Sequence, residues 1–130
     1  GLVVPALRKS AADRWIGQLG IKVSDPENPV KTLSGGNQQR VVLGKWLATD
    51  PRILILDNPT VGVDINAKDG IYAITRRLAA DGMAIILISD EVPEVLHHTH
   101  RILIMRDGRV SANLVASRTS ESEIEAAIDG

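Results

Sequence analysis

The sequence predicts an α/β fold in which parallel strands are flanked by helices and a hairpin follows near the carboxyl terminus. Two uninterrupted aliphatic runs, at residues 53–56 and 84–88, have the length and composition of strands in a parallel sheet. A stretch with helical periodicity separates them, as expected for a strand, helix, strand unit. Aromatic residues make up 2% of the chain and Phe is absent, so the core should be aliphatic.

Composition limits both the size of the protein and its partners. With 130 residues, 44% of them hydrophobic, the chain is one domain at most and can bury a core. Its net charge of −1 provides no basic field, so we expect no nucleic acid partner. Cysteine is absent, which excludes disulfides and is consistent with a reducing compartment. No apolar run approaches the roughly 18 residues of a spanning helix, so a membrane role should come through a partner.

The amino-terminal part predicts one short helix and a polar loop. Residues 1–9, interrupted by Pro5, predict an extended or frayed entry. Ser10 is the predicted N-cap of a helix from Ala11 to about Leu19, with Gly20 as its stop. A loop with two prolines then leads to residue 31.

A two-glycine turn at residues 33–40 begins the next predicted helix. This helix ends near Asp50-Pro51 and has an apolar face. The residues on that face are Val42, Leu43, Trp46 and Leu47. A serine before two glycines at a helix start brings together a hydroxyl, free backbone N–H groups and the positive end of the helix dipole, which is a phosphate-binding arrangement. Without further context this signal is weak, and an ordinary glycine-rich turn that caps a helix would be the better interpretation.

The first aliphatic strand closes on an acid, Asp57. A carboxylate at the carboxyl end of a parallel strand lies at the rim where open α/β sheets bind ligands, and there it can hold Mg²⁺ through water. Asp64 is the predicted N-cap of a helix over residues 65–80, which ends at Asp81-Gly82. With the strand at 84–88, this unit predicts a right-handed parallel crossover in which both strands are buried.

The carboxyl-terminal part predicts a short helix, a hairpin and a last helix. The short helix covers residues 91–98, and strands at 101–105 and 109–115 are joined by an Asp107-Gly108 turn. Ser120 and Glu123 have the spacing of a capping box. His97, His98 and His100 are interpreted as a solvated helix end rather than a metal site.

The motifs together resemble those of ABC-type ATPases. Leu-Ser-Gly-Gly-Asn-Gln-Gln, at 33–39, resembles the family's signature motif, Ile53–Asp57 its Walker B strand, and Val61–Asp64 its D-loop. The resemblance covers about residues 29–110 and implies a partial P-loop NTPase fold. Residues 1–50 would then be part of the helical subdomain with the signature helix, and residues 51–130 the carboxyl-terminal part of the ATPase core.

Several details are similar to the second cassette of the double-cassette ATPases that drive ribose, galactose and related importers. These are Asn37-Gln38-Gln39, Gly62-Val63-Asp64 and the stretch at 89–95. The resemblance implies ATP and Mg²⁺ as cofactors in the intact protein. It also implies a companion cassette, integral-membrane permease subunits and, indirectly, a sugar-binding protein. The expected location is cytoplasmic, at the inner face of the cell membrane through the permease.

The resemblance assigns the site residues to two different nucleotides. The signature residues would face the nucleotide held by the opposing cassette, and they are Ser34, Gly35, Gly36 and Gln38. Asp64 would lie in the D-loop that crosses the interface. Asp57, with Mg²⁺, would face the nucleotide of this cassette, together with Asn58 and Asp90.

Three departures from the family pattern weaken this cassette's own site. No Gly-x-x-x-x-Gly-Lys-Ser/Thr occurs, so we expect the sequence to be a piece of a longer protein. This piece should not hydrolyse ATP by itself. Asn58 stands where active members place a catalytic glutamate, and an amide is not a usable general base. Asp90 stands where they place a switch histidine, and its charge would repel a phosphate. The composite site should bind nucleotide but turn over poorly, leaving most hydrolysis to the companion.

Two other functions remain open at this stage. The chain could be a noncatalytic regulatory or dimerisation cassette with a degenerate site, or a soluble ABC ATPase of DNA repair or translation. The lack of basic clusters counts against the second alternative. In either case the incomplete sheet should leave strand edges and aliphatic surface uncovered, which predicts self-association.

Overall fold

A computed structural model describes residues 5–130 of the chain. Nine helices and strands and two short 3₁₀ turns follow one another along this part. They are α1 (Pro5–Leu19), α2 (Gly35–Leu47), β1 (Ile53–Asp57), α3 (Ile65–Ala80), β2 (Ala84–Ile88), α4 (Val92–His98), β3 (Arg101–Arg106), β4 (Arg109–Val115) and α5 (Glu121–Asp129), with 3₁₀ turns at Val30–Thr32 and Ala116–Arg118. None of these helices is long and apolar enough to cross a membrane.

The chain divides into two compact units. The first unit contains the described residues up to Leu54 together with Thr60–Ala84, and the second contains Ile55–Pro59 and Ile85–Gly130. Helices α1, α2 and α3 belong to the first unit, whereas α4, the hairpin and α5 belong to the second. Strands β1 and β2 contribute residues to both units.

Strands β1 and β2 are paired neighbours and run parallel, as predicted. At their starts the N–H of Ala84 donates to the carbonyl of Arg52 (3.1 Å), and just past their ends the N–H of Asn58 donates to the carbonyl of Ile88 (2.9 Å). Hydrogen bonds that join start to start and end to end are those of a parallel pair. The predicted bounds of both strands are confirmed.

The prediction that both strands are buried is wrong. In β1, Leu54 is 5% exposed but Ile55 is 61% exposed, and in β2 Ile86 is 50% exposed. Side chains alternate between the two faces of a strand, so a run that is aliphatic throughout is buried on both sides only if both faces are covered. Within residues 5–130, one face of this pair remains open.

Helix α1 extends further toward the amino terminus than predicted. It reaches back to Pro5, and Ser10, the predicted N-cap, lies inside the helix. Proline is compatible with a first helical turn, where its missing N–H would have no intrahelical acceptor. The interpretation of residues 1–4 as part of an extended entry lies outside the described residues. Gly20, with a φ of +60°, ends the helix as predicted.

The first unit has an aliphatic core formed largely by α2 and α3. Leu43 and Leu47 of α2 are buried, as are Ile71 and Ile74 of α3. The apolar face predicted for α2 is only partly confirmed, because Val42 and Trp46 are about half exposed. The bounds predicted for α3 are confirmed. Helix α2 ends at Leu47, about three residues before the predicted stop.

The second unit is organised around the β3–β4 hairpin. Asp107 and Gly108 both have positive φ (49° and 73°), which gives the twist that a two-residue hairpin turn requires. One buried cluster of this unit contains Ile102, Ile104, Ala116 and Ile124. The predicted capping box is present at the start of α5, where Ser120 and Glu123 each bond to the other's backbone N–H.

Candidate functional site

The two-glycine turn of the signature motif, called the signature turn below, leaves the start of α2 exposed. Ser34 is the N-cap, with extended backbone angles (φ −61°, ψ 155°), and its carbonyl accepts the N–H of Gln38 at 2.9 Å. The N–H groups of the first helical turn precede this bond and have no acceptor within the helix. Since Ser34 and Gly35 are exposed, the turn presents hydrogen-bond donors at the positive end of the helix dipole. Acceptor-rich anions such as phosphate fit this arrangement.

Asn37 holds the Ser34 side chain, a contact that the sequence argument did not identify. The Asn37 side chain donates from Nδ2 to Ser34 Oγ (3.0 Å), and its Oδ1 accepts the backbone N–H of Lys22 (2.9 Å). Gln38, which the resemblance placed at the nucleotide, donates instead to the carbonyl of Leu33 (2.8 Å). The Gln38 oxygen is the part of that side chain left for a ligand.

The two glycines of the turn have different packing roles. A Cβ added at Gly36 would overlap the Cβ of Ala67 on α3, and Gly36 is itself buried. A Cβ at Gly35 would lie 3.5 Å from the carbonyl oxygen of Gly62, which is an ordinary contact. Gly36 therefore lets α2 approach α3 closely, a reason for glycine that differs from the approach of an anion inferred from the sequence.

The D-loop segment lies beside the signature turn within the first unit. Thr60, directly before this segment, is 2% exposed, and its hydroxyl lies 3.2 Å from the Tyr72 hydroxyl. Gly62 takes a φ of +75°, a conformation that favours glycine. Asp64 ends the segment as the N-cap of α3, where its Oδ1 accepts the N–H of Ala67 at 3.0 Å. The predicted cap is confirmed, and Asp64 remains exposed.

Asp57 and Asn58 lie at the carboxyl end of β1. The Asn58 backbone has a φ of +45°, a left-handed conformation that Asn adopts more readily than most residues. Its side chain donates from Nδ2 to Asp57 Oδ1 at 3.2 Å. Asp57 is exposed, so a hydrated cation could bind its carboxylate if a ligand supplied further oxygens.

Asp90 follows β2 as an exposed residue before α4. The neighbouring Ser89 hydroxyl donates to Glu94 Oε2 (2.8 Å) and accepts the backbone N–H of Glu91 (3.1 Å). Glu94 is 7% exposed and was not identified from the sequence, where it lay in a short stretch of mixed polarity. These bonds hold the turn that presents Asp90.

Solved ABC cassettes share this fold. A dimeric ATP-binding cassette in a post-hydrolysis state with ADP and Pi matches 89% of this chain and 50% of its own, with a TM-score of 0.75 and 24% identity. The cbiO1 protein from Clostridium perfringens, part of the cbiONQ transporter complex, matches 90% of this chain and 46% of its own, with a TM-score of 0.74 and 26% identity. The fold is therefore that of part of a P-loop NTPase cassette, with a carboxyl-terminal hairpin, as predicted.

Sequence comparison finds relatives among the ATP-binding proteins of ABC importers. Residues 7–61 match the family model described as ABC transporter. The ribose import ATP-binding protein RbsA of Geobacillus kaustophilus is 48% identical over 130 residues, which are all of this chain and 26% of that protein. A putative ribose/galactose/methyl galactoside import ATP-binding protein of Burkholderia cenocepacia is 47% identical over 116 residues, 89% of this chain and 23% of that protein.

The chain is similar to the ATP-binding proteins of ABC importers over 89–100% of its length, and the family model for ABC transporters matches its amino-terminal part, as the motifs indicated. It spans about a quarter of the length of the curated relatives that it matches.

Proposed function

We propose that the chain is part of the ATP-hydrolysing subunit of an ABC importer whose cargo is a sugar of the ribose or galactose type. The names of the relatives support this assignment, since they are ribose or galactose import ATP-binding proteins. The cofactors would be ATP and Mg²⁺. In this proposal residues 1–50 are part of the helical subdomain and residues 51–130 are part of the ATPase core.

One observation carries the proposal, namely the exposed donors at the start of α2 beside the D-loop. In the intact dimer the Ser34 hydroxyl and the N–H groups at Gly35 and Gly36 would bind the γ-phosphate of ATP held by the companion cassette. Phosphate oxygens are acceptors, and this turn supplies a hydroxyl and helix N-terminal donors. Gln38 would add a contact to the same nucleotide, and Asp64 would cross the interface.

The second unit would contribute the residues facing this cassette's own nucleotide. Asp57 would hold Mg²⁺ through water, and the magnesium would neutralise phosphate charge when bound. Asn58 cannot accept a proton from the attacking water near neutral pH. Its donation to Asp57 keeps the amide beside the metal-binding carboxylate. Together with the negative charge of Asp90, this arrangement favours a site that binds nucleotide but turns over poorly.

The same proposal implies which partners the chain has and where in the cell it lies. ABC importers couple two cassettes to integral-membrane permease subunits, so the chain would lie at the cytoplasmic face of the membrane through that contact. A sugar-binding protein would deliver cargo on the opposite side. Alone, these 130 residues would not hydrolyse ATP, since they contain no phosphate-cradling Gly-x-x-x-x-Gly-Lys motif.

Two substitutions in the full-length protein test the division between the two halves of the site. Ser34→Arg should abolish transport-coupled ATP hydrolysis, because the long cation fills the space of the phosphate on the opposing cassette. Asn58→Ala should change hydrolysis little, because the amide supplies no base. Hydrolysis is measured with the permease present, and Ser117→Arg, at an exposed position of the second unit, controls for the added charge. Equal damage from Ser34→Arg and Asn58→Ala would contradict the proposed division.

A further inference from the structure

The amide of Asn37 connects the signature serine to a distant part of the first unit. Its Nδ2 lies 3.0 Å from Ser34 Oγ and its Oδ1 lies 2.9 Å from the backbone nitrogen of Lys22. Lys22 follows α1, fifteen residues earlier in the chain. Residues 22, 34 and 37 therefore form a chain of hydrogen bonds that ends on the serine hydroxyl.

The contact with Lys22 fixes which end of the amide faces Ser34. A backbone N–H can only donate, so the amide oxygen must be on the Lys22 side and the NH₂ group on the Ser34 side. Ser34 Oγ is thus an acceptor in this bond, and its own proton is left for another partner. Because Ser34 is exposed at the start of α2, that proton is available to a ligand in front of the turn.

We propose that Asn37 is a positioning residue that orients the Ser34 hydroxyl as a donor toward an incoming phosphate oxygen. A free serine hydroxyl rotates and can present either its proton or its lone pairs. With one lone pair held by the Asn37 NH₂ group, the hydroxyl can present its proton to the phosphate at a smaller cost in conformational freedom. The proposal rests on the proposed function, in which Ser34 binds the γ-phosphate.

A purely structural role for Asn37 would have different consequences. If the amide only fastened the loop at Lys22 to α2, its removal would loosen the whole helix start, including the backbone donors. The loss would then be the same whether or not position 34 carried a hydroxyl. If Asn37 acts through that hydroxyl, its removal should matter only when the hydroxyl is present, which a double-mutant cycle measures.

The test uses the full-length protein with Asn37→Ala, Ser34→Ala and the double variant, and it follows kcat and KM for Mg-ATP together with thermal unfolding. We expect Asn37→Ala to lower kcat/KM about five- to tenfold, the size of one hydrogen bond. In the Ser34→Ala background the same change should cost less than about twofold. Equal losses in both backgrounds would overturn the proposal.

Asn37→Asp keeps the test decisive if Asn37→Ala unfolds. The carboxylate still accepts the Lys22 N–H but cannot donate to Ser34, so the hydroxyl should turn inward and donate to it. We expect Asn37→Asp to lose at least as much activity as Asn37→Ala while unfolding at a similar temperature to the wild type. Near-normal activity in Asn37→Asp would refute the proposal. Asn113→Asp, at an exposed amide of β4, controls for the charge.

The outcome for Ser34→Ala separates this inference from the proposed function. If Ser34→Ala lowers hydrolysis but Asn37→Ala and Asn37→Asp do not, only the positioning role fails. If Ser34→Ala itself leaves hydrolysis unchanged, the proposed phosphate contact fails and the role of Asn37 fails with it.

Discussion

At the scale of single residues, the signature turn shows how one glycine can be required by packing. Gly36 is buried where α2 meets α3, and a Cβ there would overlap the Cβ of Ala67. Two helices can approach this closely only where one presents no side chain. The turn that presents donors to a ligand is therefore held in place by the helix contact directly behind it.

Gly36→Ala should lower the free energy of unfolding by about 1–3 kcal/mol, because the added methyl overpacks the α2–α3 contact. Gly17→Ala is the matched control, since a Cβ at Gly17 in α1 meets nothing within 4 Å. That substitution should stabilise the protein by about 0.5–1 kcal/mol through helix propensity. Denaturant unfolding of the two variants gives both values, and equal effects from both would contradict the packing argument.

At the scale of elements, two arginines hold the carboxyl end of α1. The Arg40 side chain of α2 donates to the carbonyl of Gly20 (2.6 Å), and the Arg77 side chain of α3 donates to the carbonyl of Gln18 (2.7 Å). Cations at this end of a helix complement its dipole and satisfy carbonyls that have no intrahelical donor. Gly70, where a Cβ would overlap the Arg40 guanidinium, leaves room for that side chain.

Arg40→Met should destabilise the protein by about 1–2 kcal/mol, because the carbonyl at the end of α1 loses a charged donor. Arg8→Met is the comparison, since Arg8 forms an ion pair with Glu27 in which both side chains are about 70% exposed. An exposed pair of that kind contributes at most about 1 kcal/mol. The melting temperatures of the two variants measure the difference in stability. A larger loss of stability in Arg8→Met than in Arg40→Met would be inconsistent with the role assigned to Arg40.

At the scale of the whole molecule, the open face of the β1–β2 pair leaves aliphatic side chains uncovered. In the second unit, Ile55 is 61% exposed, Ile86 50% and Ile88 46%. Contiguous aliphatic surface of this kind promotes association when it is left in water. The self-association expected from the sequence thus has a specific surface to act through.

We predict that the 130-residue chain associates at high concentration and that Ile86→Lys shifts it toward the monomer. A lysine on this face must keep its charge hydrated, so burial against a second copy becomes unfavourable. Sedimentation equilibrium of both proteins measures the shift. Leu7→Lys, on an exposed position of α1 (67% exposed), should leave the association unchanged. A wild-type chain that stays monomeric at high concentration would disprove the prediction.

A second prediction at this scale concerns nucleotide binding. Titration calorimetry with Mg-ATP should detect no binding by the 130-residue chain and clear binding by the full-length protein. The signature turn alone provides only part of a phosphate site, because in the proposed dimer it adds contacts to a nucleotide that the companion cassette already holds. Micromolar binding by the 130-residue chain would show that the start of α2 recognises ATP without a P-loop, against the division of roles proposed above.

Much of the fold could be predicted because its signals are local. The bounds of β1, α3, β2 and β4 follow from aliphatic runs, an N-cap at Asp64 and the Asp107-Gly108 turn. The start of α1 was misplaced, because the preference of Ser10 for an N-cap is a weak local bias, and neighbouring residues that favour the helix can override it. Exposure of Val42 and Ile55 could not be read from residue type, since it depends on which elements cover each face.

The sequence by itself determined the motifs, the order of the elements and, through them, the resemblance to ABC cassettes. Turns, helix caps and aliphatic strands depend on a few neighbouring residues, so they can be recognised from the sequence. Only the tertiary structure decided that Gly36 serves the contact with Ala67 and that Asn37 links Ser34 to the backbone of Lys22. Gly36 and Ala67, like Asn37 and Lys22, are far apart in the chain, and folding alone brings their atoms within van der Waals or hydrogen-bonding distance.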